Sequence, residues 1–263
     1  NKMSKLLENK VFISTRPTGQ SVELETLLSE ESATLILMPT IEVKPLPLGE
    51  YAVQQLKNLD SFNWIVFTSP NGIKYFFARL FDLQNNYVLP DHLKIAVVGK
   101  KTAASLECYG TSAAFINLGN TADDFVADFF HRVNLGERVL FPIGTLARSV
   151  IEDKISKKAE CTRILFYETV LPETINEEAL NLIIQDKYDM IILSSPSCCN
   201  NLLQLVDGKI DPTNLRLVCI GQTTASEVIH HGLEPLITAA IANSQGILSA
   251  ILNHFQKNIY KNI

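Results

Sequence analysis

The chain has 263 residues, 46% of them hydrophobic and 19% charged, and a formal net charge of −5. At roughly 100–200 residues per domain this length fits two domains, and the apolar share supplies cores for both, which excludes a disordered chain. The acidic balance, with no basic cluster longer than Lys100-Lys101 or Lys157-Lys158, argues against a nucleic-acid partner, because duplex binders carry a basic stripe.

No apolar run is long enough to span a bilayer, and residues Asn1 to Lys10 lack the apolar stretch of a secretion signal. The five cysteines are Cys108, Cys161, Cys198, Cys199 and Cys219, an odd number without a C-x-x-C pair. Free thiols in a reducing cytoplasm are expected. The five histidines have no metal-ligand spacing. No metal, no cofactor and no membrane partner are expected.

Short Val- and Ile-rich runs recur along the chain: Val11 to Ile13, Trp64 to Phe67, Ile95 to Val98, Val139 to Phe141, Met190 to Leu193 and Leu217 to Ile220. Near-continuous apolar strands suggest burial on both faces, as in a parallel sheet. Their alternation with helical patterns predicts an α/β fold. Helices are predicted over Thr102 to Tyr109, closed by Gly110, and over Thr223 to His231, closed by Gly232. Asn71 and Ser197, each after a Ser-Pro pair, are expected to cap helices.

An internal repeat organises these elements. Trp64-Ile-Val-Phe-Thr-Ser-Pro-Asn71 matches Met190-Ile-Ile-Leu-Ser-Ser-Pro-Ser197, and Ile95-Ala-Val-Val-Gly-Lys-Lys-Thr-Ala103 matches Leu217-Val-Cys-Ile-Gly-Gln-Thr-Thr-Ala225. A third, weaker match sets Leu35 to Pro45 against Ile164 to Pro172. The period predicts two similar domains with a ligand cleft between them.

Four strand ends therefore lead into helices through Ser, Thr or Asn. Such starts offer free N–H groups and a partial positive charge, which suit a carboxylate or phosphate. The same residues also serve simply as caps. Arg16, in Thr15-Arg16-Pro17, is placed to clamp a carboxylate or to lie solvated on the surface. Arg148 reads the same way, and Tyr167 reads as a core or interface tyrosine. The chain has neither a complete P-loop, nor G-x-G-x-x-G, nor G-x-S-x-G, which removes the usual nucleotide and hydrolase signatures.

The ordered set Thr15-Arg16-Pro17, Phe67-Thr68-Ser69-Pro70-Asn71-Gly72, Gly99-x-x-Thr102-Ala103, Gly144-x-x-x-Arg148, Tyr167-x-Thr169, Ser195-Pro196-Ser197 and Gly221-x-x-Thr224-Ala225 resembles the uroporphyrinogen-III synthase family from Val11 to about Leu252. The resemblance implies two flavodoxin-like parallel-sheet α/β domains joined by a two-stranded connector, with the active site in the interdomain cleft. One domain would be discontinuous, residues 1–38 and 172–263. The other would hold residues 45–165, and 39–44 and 166–171 would form the connector. Pro142, just before Gly144 and Arg148, departs from the family pattern.

The implied enzyme is a cytoplasmic, monomeric, cofactor-free hydro-lyase of porphyrin biosynthesis. It would close hydroxymethylbilane, a linear tetrapyrrole with eight carboxylates, into uroporphyrinogen III, with loss of water and inversion of ring D through a spiro-pyrrolenine. Tyr167 would be the general acid. Arg16, Ser69, Asn71, Thr102, Ser195, Ser197, Thr223 and Thr224 would bind substrate. Competing readings are a non-catalytic two-domain ligand binder of the periplasmic type, a porphyrinoid-binding regulator and a Rossmann-type transferase.

Overall fold

A run such as Trp64-Ile65-Val66-Phe67 has no polar side to offer solvent, so it makes a stable strand only where both faces are covered. The computed structural model of the chain describes residues 5–117, 119 and 121–261. The first four and last two residues of the expected discontinuous domain, and residues 118 and 120 of the other, lie outside the described residues.

In chain order the elements are β1 (Val11–Ser14), α1 (Val22–Glu30), β2 (Thr34–Leu37), β3 (Glu42–Pro45), α2 (Glu50–Lys57), β4 (Trp64–Phe67), α3 (Pro70–Gln84), β5 (Lys94–Val97), α4 (Lys100–Ala104), β6 (Phe115–Ile116) and α5 (Ala122–Phe129). They continue with β7 (Arg138–Gly144), α6 (Val150–Ile155), β8 (Glu160–Val170), α7 (Glu177–Ile184), β9 (Met190–Leu193), α8 (Pro196–Val206), β10 (Leu217–Cys219), α9 (Gln222–His230), β11 (Ile237–Thr238) and α10 (Ser244–Lys261).

The chain divides into two compact units. The first holds the described residues up to Glu42 and from Val170 onward; the second is Val43–Thr169. The expected α/β class with parallel sheets is what forms. The sheet of the first unit has the order β2-β1-β9-β10-β11, every pair parallel. Counted within the unit this is 2-1-3-4-5, the flavodoxin order. The second sheet runs β3-β8-β7-β4-β5-β6, with the pairs from β8 to β6 parallel.

Both faces of β4 are buried, as its sequence demands. Ile65 and Phe67 join Phe76, Phe77 and Phe166 on one side, while Trp64 and Val66 join Phe125, Phe129 and Phe141 on the other. In the first unit Phe12, Leu24, Leu28, Ile192, Val218 and Ile247 form one core. At about 25 cal/mol per Å² of apolar surface removed from water, this burial is the main stabilising contribution in both units.

The repeat explains the two orders. β4, β5 and β6 occupy the places of β9, β10 and β11, and β7 and β8 occupy those of β1 and β2. The second unit is thus a circular permutation of the first, cut between β2 and β9. The third sequence match then pairs equivalent strands, but in a corrected register. Ile13 and Leu140 stand beside the matched residues Ile191 and Ile65. Ser14 pairs with Leu37, and Phe141 with Arg163. Leu37 therefore corresponds to Arg163 and not to Phe166, a shift of three residues from the match read in sequence.

Two local expectations are also corrected. The caps of α3 and α8 are Ser69 and Ser195, whose hydroxyls accept from Gly72 N and Cys198 N. Asn71 and Ser197 are helical residues, because the proline between takes the first helical position. The helix expected over Thr102 to Tyr109 breaks into α4 and a single 3-10 turn at Glu107–Tyr109. Gly110 and Gly232 take left-handed conformations at φ +69° and +74° just past their helical segments, as expected.

Candidate functional site

In open α/β sheets a ligand lies beyond the carboxyl ends of the strands, where the strand order reverses. That place falls between β4 and β7 in the second unit, and between β9 and β1 in the first.

In the second unit β4 leads into Ser69, and the Ser69 hydroxyl meets the phenol of Tyr167 at 2.9 Å. Ser69 Oγ also accepts from Gly72 N at 3.0 Å, so the phenol is tied to the first turn of a fifteen-residue helix. Tyr167 does not end its strand. It lies inside the long β8, at an irregularity where it pairs with Gly144, and is 9% exposed. A Cβ on Gly144 would fall 2.3 Å from the Tyr167 ring, so only glycine admits the ring there.

Tyr75 stacks on Tyr167 with centroids 5.4 Å apart and is anchored by its own phenol, which donates to Val43 O. Burial pushes the Tyr167 pKa above its ordinary value, against the opposing hydrogen bond from Ser69. The residue therefore holds its proton at neutral pH.

Thr102 is 6% exposed on the five-residue α4. Asn71 is half-exposed in the first turn of α3. Arg148 is exposed beyond β7. Sequence reasoning passed over two residues. Tyr75 carried no signal beyond an aromatic in a helix. Asn117, one residue past β6, is 1% exposed, and its Oδ1 accepts from Gly99 N at 2.8 Å. No sequence signal marked it, and its counterpart by strand pairing, Ala239, shares none of its chemistry.

In the first unit Arg16 follows β1 and is half-buried. Its Nε and Nη1 are buried without a hydrogen-bond partner, and burial lowers its pKa. Two of its three guanidinium nitrogens are thus withdrawn from solvent. The residue before it is firmly held. Thr15 N and Oγ1 both donate to Ile192 O, and Thr15 O accepts from Thr40 N, Thr40 Oγ1 and Cys198 Sγ. In the sequence Cys198 shows only as a free thiol.

Ser195 caps α8, and Ser197 is half-exposed in its first turn. Thr224 is 2% exposed at the start of α9, whereas Thr223 is exposed. Apart from Tyr167, which lies inside β8, the expected residues follow strand ends within their units, and Ser69 and Tyr167 are in direct contact. Among the described residues no group of three or more His, Cys, Asp or Glu could hold a metal, and no helix is long and apolar enough to cross a membrane.

The family model described as uroporphyrinogen-III synthase HemD matches residues 22–249. A uroporphyrinogen-III synthase of Synechococcus elongatus is 31% identical over 207 residues, covering 76% of each chain. One of Chlorobaculum parvum is 26% identical over 233 residues, 86% of this chain and 91% of the relative. Among solved structures, a mutant uroporphyrinogen III synthase of Thermus thermophilus aligns with TM-score 0.64 at 12% identity, over 94% of this chain and 99% of that one. The Helicobacter pylori synthetase aligns with TM-score 0.61 at 16% identity, over 93% and 99%. At these identities the structural likeness speaks of the fold alone.

Proposed function

The chain belongs to the uroporphyrinogen-III synthase family, and from that membership we propose how its residues would perform the family's reaction. The substrate is hydroxymethylbilane and the product uroporphyrinogen III, formed as a hydro-lyase without a cofactor. The terminal hydroxyl takes a proton and leaves as water, giving an azafulvene cation. Carbon attack forms a spiro-pyrrolenine, and fragmentation with recombination inverts ring D before closure. The proton account closes when the last pyrrole carbon sheds its hydrogen.

The observation that carries the residue assignment is the 2.9 Å contact between Ser69 and Tyr167. Because Ser69 Oγ already accepts from Gly72 N, its own hydrogen is available to Tyr167 Oη. The phenol hydrogen is then left for the departing hydroxyl. The phenolate formed would keep the Ser69 hydrogen bond and the positive end of α3 behind it. Tyr167 is the general acid in this reading, and Ser69 supports it.

The substrate's carboxylates meet an acidic protein, so net charge does not draw them in. Helix-start N–H groups, Arg16 and the side chains of Asn71, Thr102, Ser195, Ser197, Thr223 and Thr224 would hold them. Most of the catalytic work is then positioning, which favours the inverted closure over the unassisted one. A single-chain enzyme acting in the cytoplasm is part of the same reading.

The test is turnover of freshly made hydroxymethylbilane, followed by oxidation and separation of uroporphyrins I and III. Mostly isomer III at catalytic protein levels is expected. Isomer I alone, at the rate without protein, would overturn the reading and leave a non-catalytic tetrapyrrole binder.

A further inference from the structure

Among the described residues, four buried side-chain polar atoms lack a hydrogen-bond partner: Arg16 Nε, Arg16 Nη1, Asn117 Nδ2 and the acceptor Gln55 Oε1. The three donors share a setting. Arg16 lies two residues past β1, and Asn117 one residue past β6, each at the carboxyl end of its own sheet. Buried donors are almost always satisfied in folded proteins, and one left open weakens the free protein until an acceptor arrives. Donors stranded at the ligand-binding end of a parallel sheet call for an anion or a carbonyl.

The orientation of the Asn117 amide is fixed by chemistry. Gly99 N–H, at 2.8 Å, needs an acceptor, so the oxygen faces Gly99 and the NH2 group must point the other way. Nor does the fold demand that open donor. In the first unit the strand next to β10 pairs Val218 with Ile237 and Cys219 with Thr238, as β5 pairs Ala96 with Phe115 and Val97 with Ile116. That same strand continues into Ala239, which is buried and carries no polar group. The sister unit thus has only a methyl group at this place, and there Gly221 is extended where Gly99 takes φ +83°. The Asn117 oxygen accounts for Gly99, whereas its open donor has no part in the turn.

We infer that Asn117 is a further substrate-binding residue, whose Nδ2 donates a hydrogen bond to a carboxylate of the tetrapyrrole held by the second unit. The inference rests on the proposed reaction for its ligand and on the unpartnered buried amide for its site. It supplies the second unit with a side-chain donor for a carboxylate, the part Arg16 plays in the first.

The test compares Asn117→Asp with Asn117→Ala. The aspartate keeps an acceptor for Gly99 N–H and replaces only the donor, setting a carboxylate against the substrate's own. Asn117→Asp is expected to raise KM at least tenfold with kcat within about threefold, and to weaken binding of the stable octacarboxylate uroporphyrin III by a similar factor. Asn117→Ala is expected to raise KM as well. Should Asn117→Asp leave KM and uroporphyrin affinity within twofold of the parent while Asn117→Ala impairs both, Asn117 merely holds Gly99, and the inference fails. It fails too if neither variant changes either constant.

A measurement on the unaltered protein guards against variants that do not fold. The Asn117 side-chain NH2 resonances should move downfield on titration with uroporphyrin III, and unmoved resonances at saturation would overturn the assignment. If the protein makes no isomer III yet these resonances shift, the reaction is wrong and the binding residue stands.

Discussion

The two units lay five equivalent strands in the same spatial order, β3 being an addition at the edge of the second, yet they furnish the strand ends differently. In the second unit the serine cap meets a phenol, Ser69 with Tyr167. In the first, the matching cap Ser195 holds Cys198 N, and the charged group nearby is Arg16. The third residue of each helix shows how small the divergence can be. At Gly72 an added Cβ would come within 2.9 Å of Pro142 O. At the matching Cys198 the backbones stand far enough apart that the thiol donates to Thr15 O at 3.4 Å. One unit is fitted closely beside a phenol and the other is more open beside a guanidinium. A duplicated scaffold keeps its capping chemistry in both copies while the side chains beside the caps diverge.

The comparison breaks most sharply at Tyr167. Tyr167→Phe should slow formation of isomer III by about one to three orders of magnitude, at or below the usual range for acid catalysis, and an unchanged rate would remove it from that role. Arg16→Ala should act on binding instead. Its KM is expected to rise about 10–100-fold with kcat nearly unchanged, in keeping with about 1.5–3 kcal/mol for a hydrogen bond to a charged group. A loss confined to kcat would contradict the division of labour.

Gly72→Ala should destabilise by about 1–3 kcal/mol in denaturant melts, because backbone lies where the methyl must go. Cys198→Ala loses only a weak thiol hydrogen bond and should cost less. Equal losses would mean that the close approach in the second unit carries no energetic weight. The serine caps give a smaller contrast. Ser69→Ala and Ser195→Ala should each cost about 1 kcal/mol of stability, but only Ser69→Ala should also reduce kcat.

The least marked effect is alkaline. Burial raises Cys199 to about 11 and Cys219 to about 12 in the first unit, and Cys161 to about 11 in the second, with Tyr167 also raised. A raised folded pKa means stability fully present below the unfolded value and lost as pH climbs through the folded one. The unfolding temperature should therefore hold up to about pH 8.5, the free-thiol range, and decline from there toward pH 12. Replacing Cys199 and Cys219 by alanine should flatten that decline.

Much of this was legible in the residues. Trp64 to Phe67 and Met190 to Leu193 announced fully buried strands because no residue in either can face water. The capping serines were legible in principle, since a proline at the first helical position points to the residue before it; attention to Asn71 and Ser197 missed this by two places. Strand adjacency was not legible. The permuted order becomes visible only when β7 is seen beside β4, a contact between Trp64 and Val139 that no local pattern encodes. Tyr167 looked like a core aromatic, and it is one; its partner Ser69 lies 98 residues away in sequence. Asn117 gave no signal in the sequence, because burial and an unmatched amide are tertiary facts.

The permutation also sets a timetable. Val43–Thr169 is one continuous stretch of chain and can complete its sheet as soon as it has been synthesised. β1 must wait, because Asp189, which hydrogen-bonds Val11, is 178 residues downstream. Once the middle segment has folded, β3 and β8 lie side by side, and the chain that must still be looped out shrinks to the short arms on either side. On the logarithmic scale of loop closure this lowers the entropic cost of bringing β1 to β9 by about 1 kcal/mol. The inserted unit thereby acts as a scaffold for the later assembly of its host, and a mutation that delays it would slow the folding of both.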